Sequence, residues 1–141
     1  MITDFGHTAI ATHDVDASLA FYAKLGLHES FRLTRADGSL WLVYLHISGD
    51  RFLEIFPGGP DPAPAKERIQ SFRHLCLLTD DIGKEVEDLR ARGVEIDSEV
   101  KEGADHNQQA WIHDPDGNSI ELMQINPISP QARIARGEAP G

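Results

Sequence analysis

Four side chains in this sequence could together hold a divalent cation, and they are spaced as two copies of one pattern. His7 lies in Phe5-Gly6-His7-Thr8-Ala9-Ile10 and Glu54 in Arg51-Phe52-Leu53-Glu54-Ile55-Phe56. His74 lies in Phe72-Arg73-His74-Leu75-Cys76-Leu77 and Glu121 in Ser119-Ile120-Glu121-Leu122-Met123. Each histidine precedes its glutamate by 47 positions, and the two pairs are offset by 67. All four sit in short apolar runs of strand character, where an imidazole or a carboxylate needs a partner. Two neutral imidazoles and two carboxylates offer no thiolate, so the set suits divalent Zn, Ni, Co, Mn or Fe. With two coordination positions open, such a metal accepts two adjacent substrate oxygens. It then lowers the pKa of the neighbouring C–H while a carboxylate moves the proton. A single strand histidine is ordinarily structural; the matched set is what favours a metal.

Other residues share the predicted strand faces of these four. Tyr44 and His46 correspond at the same offset to Trp111 and His113, and Gln109 and Met123 lie two positions from Trp111 and Glu121. Tyr44, His46, Gln109, Trp111 and Met123 are therefore candidates for a substrate pocket, although Tyr44 and Trp111 read equally well as core. His46 and His113 fit a structural role better than an accessory acid–base one. Cys76 shares the face of His74, and the expectation there is a buried, inert thiol. His13, His28 and His106 read as surface residues, and Glu85, Glu87 and Asp88 as a solvated helix face.

The elements that must position these residues repeat as well. Asp14, Val15, Leu19, Tyr22 and Gly26 match Asp81, Ile82, Val86, Leu89 and Gly93. The apolar members have the i, i+4, i+7 spacing of one helical face. Asp14 or Asp16 can cap the first helix and Asp80 or Asp81 the second, while Gly26 and Gly93 stand where a helix stops. Strands are expected at about 28–35, 40–47 and 51–56, then at about 95–101, 108–113 and 119–125, with turns at Ala36-Asp37-Gly38, Ser48-Gly49-Asp50 and Asp114-Pro115-Asp116-Gly117-Asn118. The organisation predicted is a first βαβββ module over 1–56, a proline-rich linker over 57–71, a second module over 72–125 and a tail over 126–141. The tail is either one short helical turn or loose. The fold class is α+β: two modules forming a curved, half-barrel mixed sheet, helices on the outer face, and the four ligand candidates on the concave one.

Composition narrows the partners. A formal charge of −10 leaves no basic patch to neutralise phosphates, which argues against nucleic acid and anionic membranes. Hydrophobic residues make up 40% and charged residues 26%, ordinary for a soluble globular chain. The single cysteine excludes an intrachain disulfide. Met1-Ile2-Thr3-Asp4 starts no signal-like segment and no run is long enough to span a bilayer, so a cytoplasmic location is expected.

With these features assembled, the chain resembles the vicinal oxygen chelate superfamily, which includes glyoxalase I. The resemblance covers about residues 5–125. It rests on His7-Thr8-Ala9-Ile10, Phe21-Tyr22-Ala23-Lys24-Leu25-Gly26, the turn Asp114-Pro115-Asp116-Gly117, and the tetrad in register with the repeat. It implies that His7, Glu54, His74 and Glu121 are metal ligands, with Glu121 the first candidate for the catalytic base and Glu54 the second. It also implies a homodimer with a small-molecule substrate. It does not extend to the residues that hold glutathione in bacterial glyoxalase I. The arginine expected four positions after the first histidine is Ala11, and the asparagine expected after the second ligand is replaced by Phe56-Pro57-Gly58-Gly59. The function implied is a metal-dependent isomerase or lyase, acting through an enediolate. An epimerase, a dioxygenase and a metal-free binding or resistance protein of the same fold are the alternatives. Superfamily dioxygenases use two histidines and one glutamate, which makes Glu54 one carboxylate too many for them.

Overall fold

The computed structural model describes residues 5–61 and 72–139. Its backbone divides into two compact units, one formed by Met1–Arg68 with Asp114–Gly117, the other by Ile69–His113 with Asn118–Gly141.

The first unit runs β1 (His7–Ala11), α1 (Val15–Lys24), β2 (Glu29–Thr34), β3 (Leu40–Ser48) and β4 (Arg51–Phe56). The second runs β5 (Leu75–Leu78), α2 (Ile82–Ala91), β6 (Ser98–Glu102), β7 (Gln108–His113), β8 (Ser119–Gln124) and α3 (Pro130–Ala135). Each unit holds an open four-stranded mixed sheet, in the orders β1-β4-β3-β2 and β5-β8-β7-β6. The first strand of each module pairs in parallel with its last, and the remaining pairs are antiparallel. The expected α+β class and the βαβββ repeat are both present.

The helix signals act where they were expected. The Asp14 carboxylate accepts the N–H of Ala17, and that of Asp81 accepts the N–H of Lys84. At the other ends Gly26 and Gly93 take φ of 80° and 79°, which glycine adopts without the clash a Cβ would bring. There the N–H of Leu27 reaches the carbonyl of Tyr22 and that of Val94 the carbonyl of Leu89, each at 3.0 Å. This is the six-to-one closure that satisfies orphan helix carbonyls.

The core of the second unit follows the predicted stripe. Ile82, Val86 and Leu89 of α2 are buried, as are Ala110, Ile112, Ile120 and Leu122 of the sheet, and α2 packs on β6, β7 and β8. The first helix differs. Its buried residues are Ser18 and Tyr22, while Val15 and Leu19 are only half-buried. The reason is polar anchoring by Asp114–Gly117, which belongs to the first unit. The carboxylate of Asp116 accepts from Thr12 Oγ1 at 2.5 Å, the His13 N–H at 2.8 Å and Ser18 Oγ at 3.2 Å. Tyr22 gives its hydroxyl to Asp114. Thr12, Ser18, Tyr22, Asp114 and Asp116 are each buried to below 5% exposure, so the hydrogen bonds among them replace water.

Smaller differences lie at edges. β6 begins at Ser98 rather than near 95; the Asp97 N–H still reaches the carbonyl of Trp111, and a register shift lies between Ser98 and Lys101. The start of the expected linker is attached, with the Gly59 N–H on the Thr12 carbonyl at 2.9 Å. Its remainder, 62–71, lies outside the described residues. The tail carries one short helix, α3, capped by Ser129. Among the described residues no helix is long and apolar enough to cross a membrane.

Candidate metal centre

Parallel pairing creates each His–Glu pair. In the first sheet His7 stands opposite Phe52 and Ala9 opposite Glu54. Side chains two apart share a face, so His7 and Glu54 meet on the diagonal. Their Nε2 and Oε2 atoms lie 3.6 Å apart. In the second sheet Cys76 stands opposite Glu121, and His74 immediately precedes β5. There the Nε2–Oε2 distance is 3.1 Å. Both glutamates are buried, with residue exposures of 7% and 6%, whereas both histidines are exposed.

The spacing within each pair suits two donors on one ion. Ligands held about 2.1 Å from a metal and at right angles lie roughly 3.0 Å from one another. The His74–Glu121 pair already has that separation, and the His7–Glu54 pair is slightly wider. Each pair by itself offers two donors. Among the described residues no group of three or more His, Cys, Asp and Glu side chains is gathered so as to hold a metal.

The surroundings of the two carboxylates differ. Tyr44 stands directly opposite Glu54 across the β3–β4 pairing. Its phenol is raised above the usual tyrosine range, first by desolvation and then by the Glu54 carboxylate. The Tyr44 ring stacks on Phe31 at 4.2 Å and meets Phe52 edge-on at 6.0 Å. At the matching place in the second sheet, Trp111 stands opposite Glu121 but gives its Nε1–H to Gln109 at 2.9 Å. Its ring lies edge-on to His74 at 4.8 Å. The residue opposite Glu121 on β5, Cys76, carries a thiol. Partial burial and the Glu121 charge push that thiol up to about 12. The expectation of a buried thiol is corrected: Cys76 is exposed as a residue, on β5, the edge strand of its sheet among the described residues.

The remaining candidates fall as follows. Tyr44, Gln109, Trp111 and Met123 are half-buried on the faces of the glutamates, outside the fully buried core. His46 is exposed and its Nε2 meets the Gly49 carbonyl at 2.8 Å, within its own hairpin. His113 pairs through Nδ1 with Asp97 at 2.8 Å. Sequence reasoning missed Phe31 as the stacking partner of Tyr44. Its signal was a large apolar residue on β2 that stands opposite Tyr44 once the register is known.

Comparison with known proteins agrees with this architecture. The chain is 32% identical over 124 residues to an uncharacterized protein of Bacillus subtilis, YwbC, covering 84% of this chain and 94% of that one. It is 28% identical over 126 residues to human mitochondrial methylmalonyl-CoA epimerase, covering 84% and 72% respectively. Among solved structures, a glyoxalase family protein from Enterococcus faecalis superposes with a TM-score of 0.71 at 26% identity, over 85% of this chain and 96% of the other. Residues 4–122 match a single family, and the chain belongs to it: the Glyoxalase/Bleomycin resistance protein/Dioxygenase superfamily.

Proposed function

We propose that this chain is a metal-dependent isomerase or lyase of the glyoxalase I type, in which His7, Glu54, His74 and Glu121 are the ligands of one divalent ion. The observation that carries the reading is the doubled pair, with imidazole and carboxylate atoms 3.6 and 3.1 Å apart at matching places in two sheets. A bound Zn, Ni, Co, Mn or Fe ion supplies Lewis acidity to two adjacent substrate oxygens. Glu121 takes the proton from one carbon, the C–H electron pair stays on the substrate as the enediolate, and the same carboxylate returns the proton to the neighbouring carbon. Tyr44 and His46 on the first sheet, and Gln109, Trp111 and Met123 on the second, contact the substrate. The working form is a homodimer. One chain or two copies can supply the two pairs, and either source gives one metal per chain.

Epimerisation is the second reading. It is favoured by the likeness to the human epimerase together with Ala11 and Phe56–Gly59 at the glutathione positions. It uses the same proton abstraction, with return to the same carbon from the opposite face.

The test is elemental analysis of the purified protein, the His7→Ala variant and the Glu121→Gln variant. About one divalent metal per chain, lost in His7→Ala, supports the reading. No metal in the wild type after incubation with Zn, Ni and Mn overturns it. With metal present, a hemithioacetal and a 2-substituted malonyl thioester distinguish isomerisation from epimerisation. Full turnover by metal-loaded Glu121→Gln overturns the assignment of the base.

A further inference from the structure

The two candidate histidines are not held alike. His7 lies inside β1, in register with Phe52 of β4. His74 lies one residue before β5, outside the ladder that begins at Leu75 and Ile120. Yet the second pair is the closer, 3.1 Å against 3.6 Å, and its imidazole is the less exposed, 36% against 54%. The support for His74 comes from the other side of β8.

Trp111 on β7 stands opposite Glu121 of β8. Its ring meets that of His74 at 4.8 Å and 80°, an edge-to-face contact. An indole N–H can only donate, and this one donates to Gln109 Oε1 at 2.9 Å. That bond orients the Gln109 amide, whose nitrogen turns toward Gly103. A Cβ at position 103 would collide with that nitrogen, so the missing side chain leaves the space in which the amide sits. The backbone there is tied as well, with the Gly103 N–H on the Asn107 carbonyl at 2.8 Å.

We infer that Trp111 is a positioning residue for His74, braced by Gln109 in the space that Gly103 provides, and that this brace sets the imidazole beside Glu121 before a metal arrives. The inference rests on the metal reading proposed above. It goes further by giving Gly103 a part in metal affinity although it has no side chain.

The experiment is titration of the metal-free full-length chain with Co(II) alone, followed by visible absorbance, for wild type, Trp111→Leu, Gln109→Leu, Gly103→Ala and Trp41→Phe. Thermal melting and the NMR signal of the indole N–H accompany it. Trp111→Leu loses the ring, and its Co(II) dissociation constant is expected to rise roughly 10- to 100-fold, the usual effect of removing a group that orients a metal ligand. Gln109→Leu and Gly103→Ala keep the ring and all four ligand candidates but release the indole. A rise of roughly 3- to 10-fold is expected in each, with melting near that of wild type. In both, the Trp111 N–H signal should move. Gly103→Ala also presses on Asp105, which Gln109→Leu leaves alone. Trp41, exposed on β3 of the first sheet, is the control, and Trp41→Phe should stay within about twofold of wild type. Wild-type affinity in Gly103→Ala and Gln109→Leu overturns the inference and leaves the metal reading standing. So does a weakening confined to variants that melt lower, or an indole signal that stays in place in both. A wild type that binds no Co(II) overturns the metal reading and this inference with it.

Discussion

The hydroxyl of Tyr22 donates to the carboxylate of Asp114 at 2.8 Å across 92 positions of sequence, and both residues are buried to 1% exposure. Removing the hydroxyl leaves a buried carboxylate short of a donor. Tyr22→Phe is therefore expected to lower unfolding stability by about 1–3 kcal/mol in urea denaturation. The same bond sets a pH response. Burial first, then the Asp114 charge, raises the Tyr22 phenol well above the tyrosine range. Its contribution is complete below the unfolded value of about 10 and is lost as pH climbs from there toward the higher folded value. Stability above pH 10 should fall in the wild type and fall less steeply in Tyr22→Phe. Equal slopes would contradict this.

Asp116 accepts hydrogen bonds from Thr12, His13 and Ser18 within the same unit. Asp116→Ala removes all three acceptor contacts at once, and the expected cost is about 2–4 kcal/mol. Asp116→Asn keeps one acceptor oxygen and should lose less. Urea midpoints at neutral pH compare the two, and the reverse order would show that charge rather than hydrogen bonding is unfavourable there.

Cys76 should be a slow thiol. With its pKa pushed up to about 12, only roughly one molecule in ten thousand carries the reactive thiolate at pH 8. Alkylation of the metal-free protein by iodoacetamide should therefore lag behind a free cysteine. Glu121→Gln removes the adjacent charge and should accelerate it, roughly tenfold. An unchanged rate would leave desolvation as the whole cause.

If the His–Glu pairs hold a metal in the folded chain alone, chelation must destabilise the fold. Free metal at a hundred times its dissociation constant adds about 2.7 kcal/mol. EDTA should lower the melting temperature of wild type and leave His74→Ala unaffected. A wild type indifferent to both EDTA and added metal would argue against the site.

Much of this arrangement was legible in the sequence because its signals are local. Asp14, Asp81, Gly26 and Gly93 act within a few residues of themselves, so spacing alone located both helices. Strand limits at Arg51–Phe56 and Gln108–His113 follow from alternation bounded by turn residues. What stayed hidden depends on distant partners. Nothing near Ser18 announces that its hydroxyl, rather than Leu19, faces inward; the reason lies at Asp116. Tyr44 was visible as a pocket candidate, yet its place opposite Glu54 needs the β3–β4 register, and its stacking on Phe31 needs the β2–β3 register. The candidate ligands were legible for the opposite reason, since duplication wrote the same pair twice.

The anchoring of Asp114–Gly117 in the first unit has a consequence for the order in which the protein can be made. Synthesis proceeds from the N-terminus, so Thr12, Ser18 and Tyr22 leave the ribosome about a hundred residues ahead of the carboxylates that receive their hydrogens. The opening unit must wait, incomplete, for a piece of chain translated near the end. The duplicated halves are thus no longer interchangeable: the later half carries a component that the earlier one needs in order to finish folding.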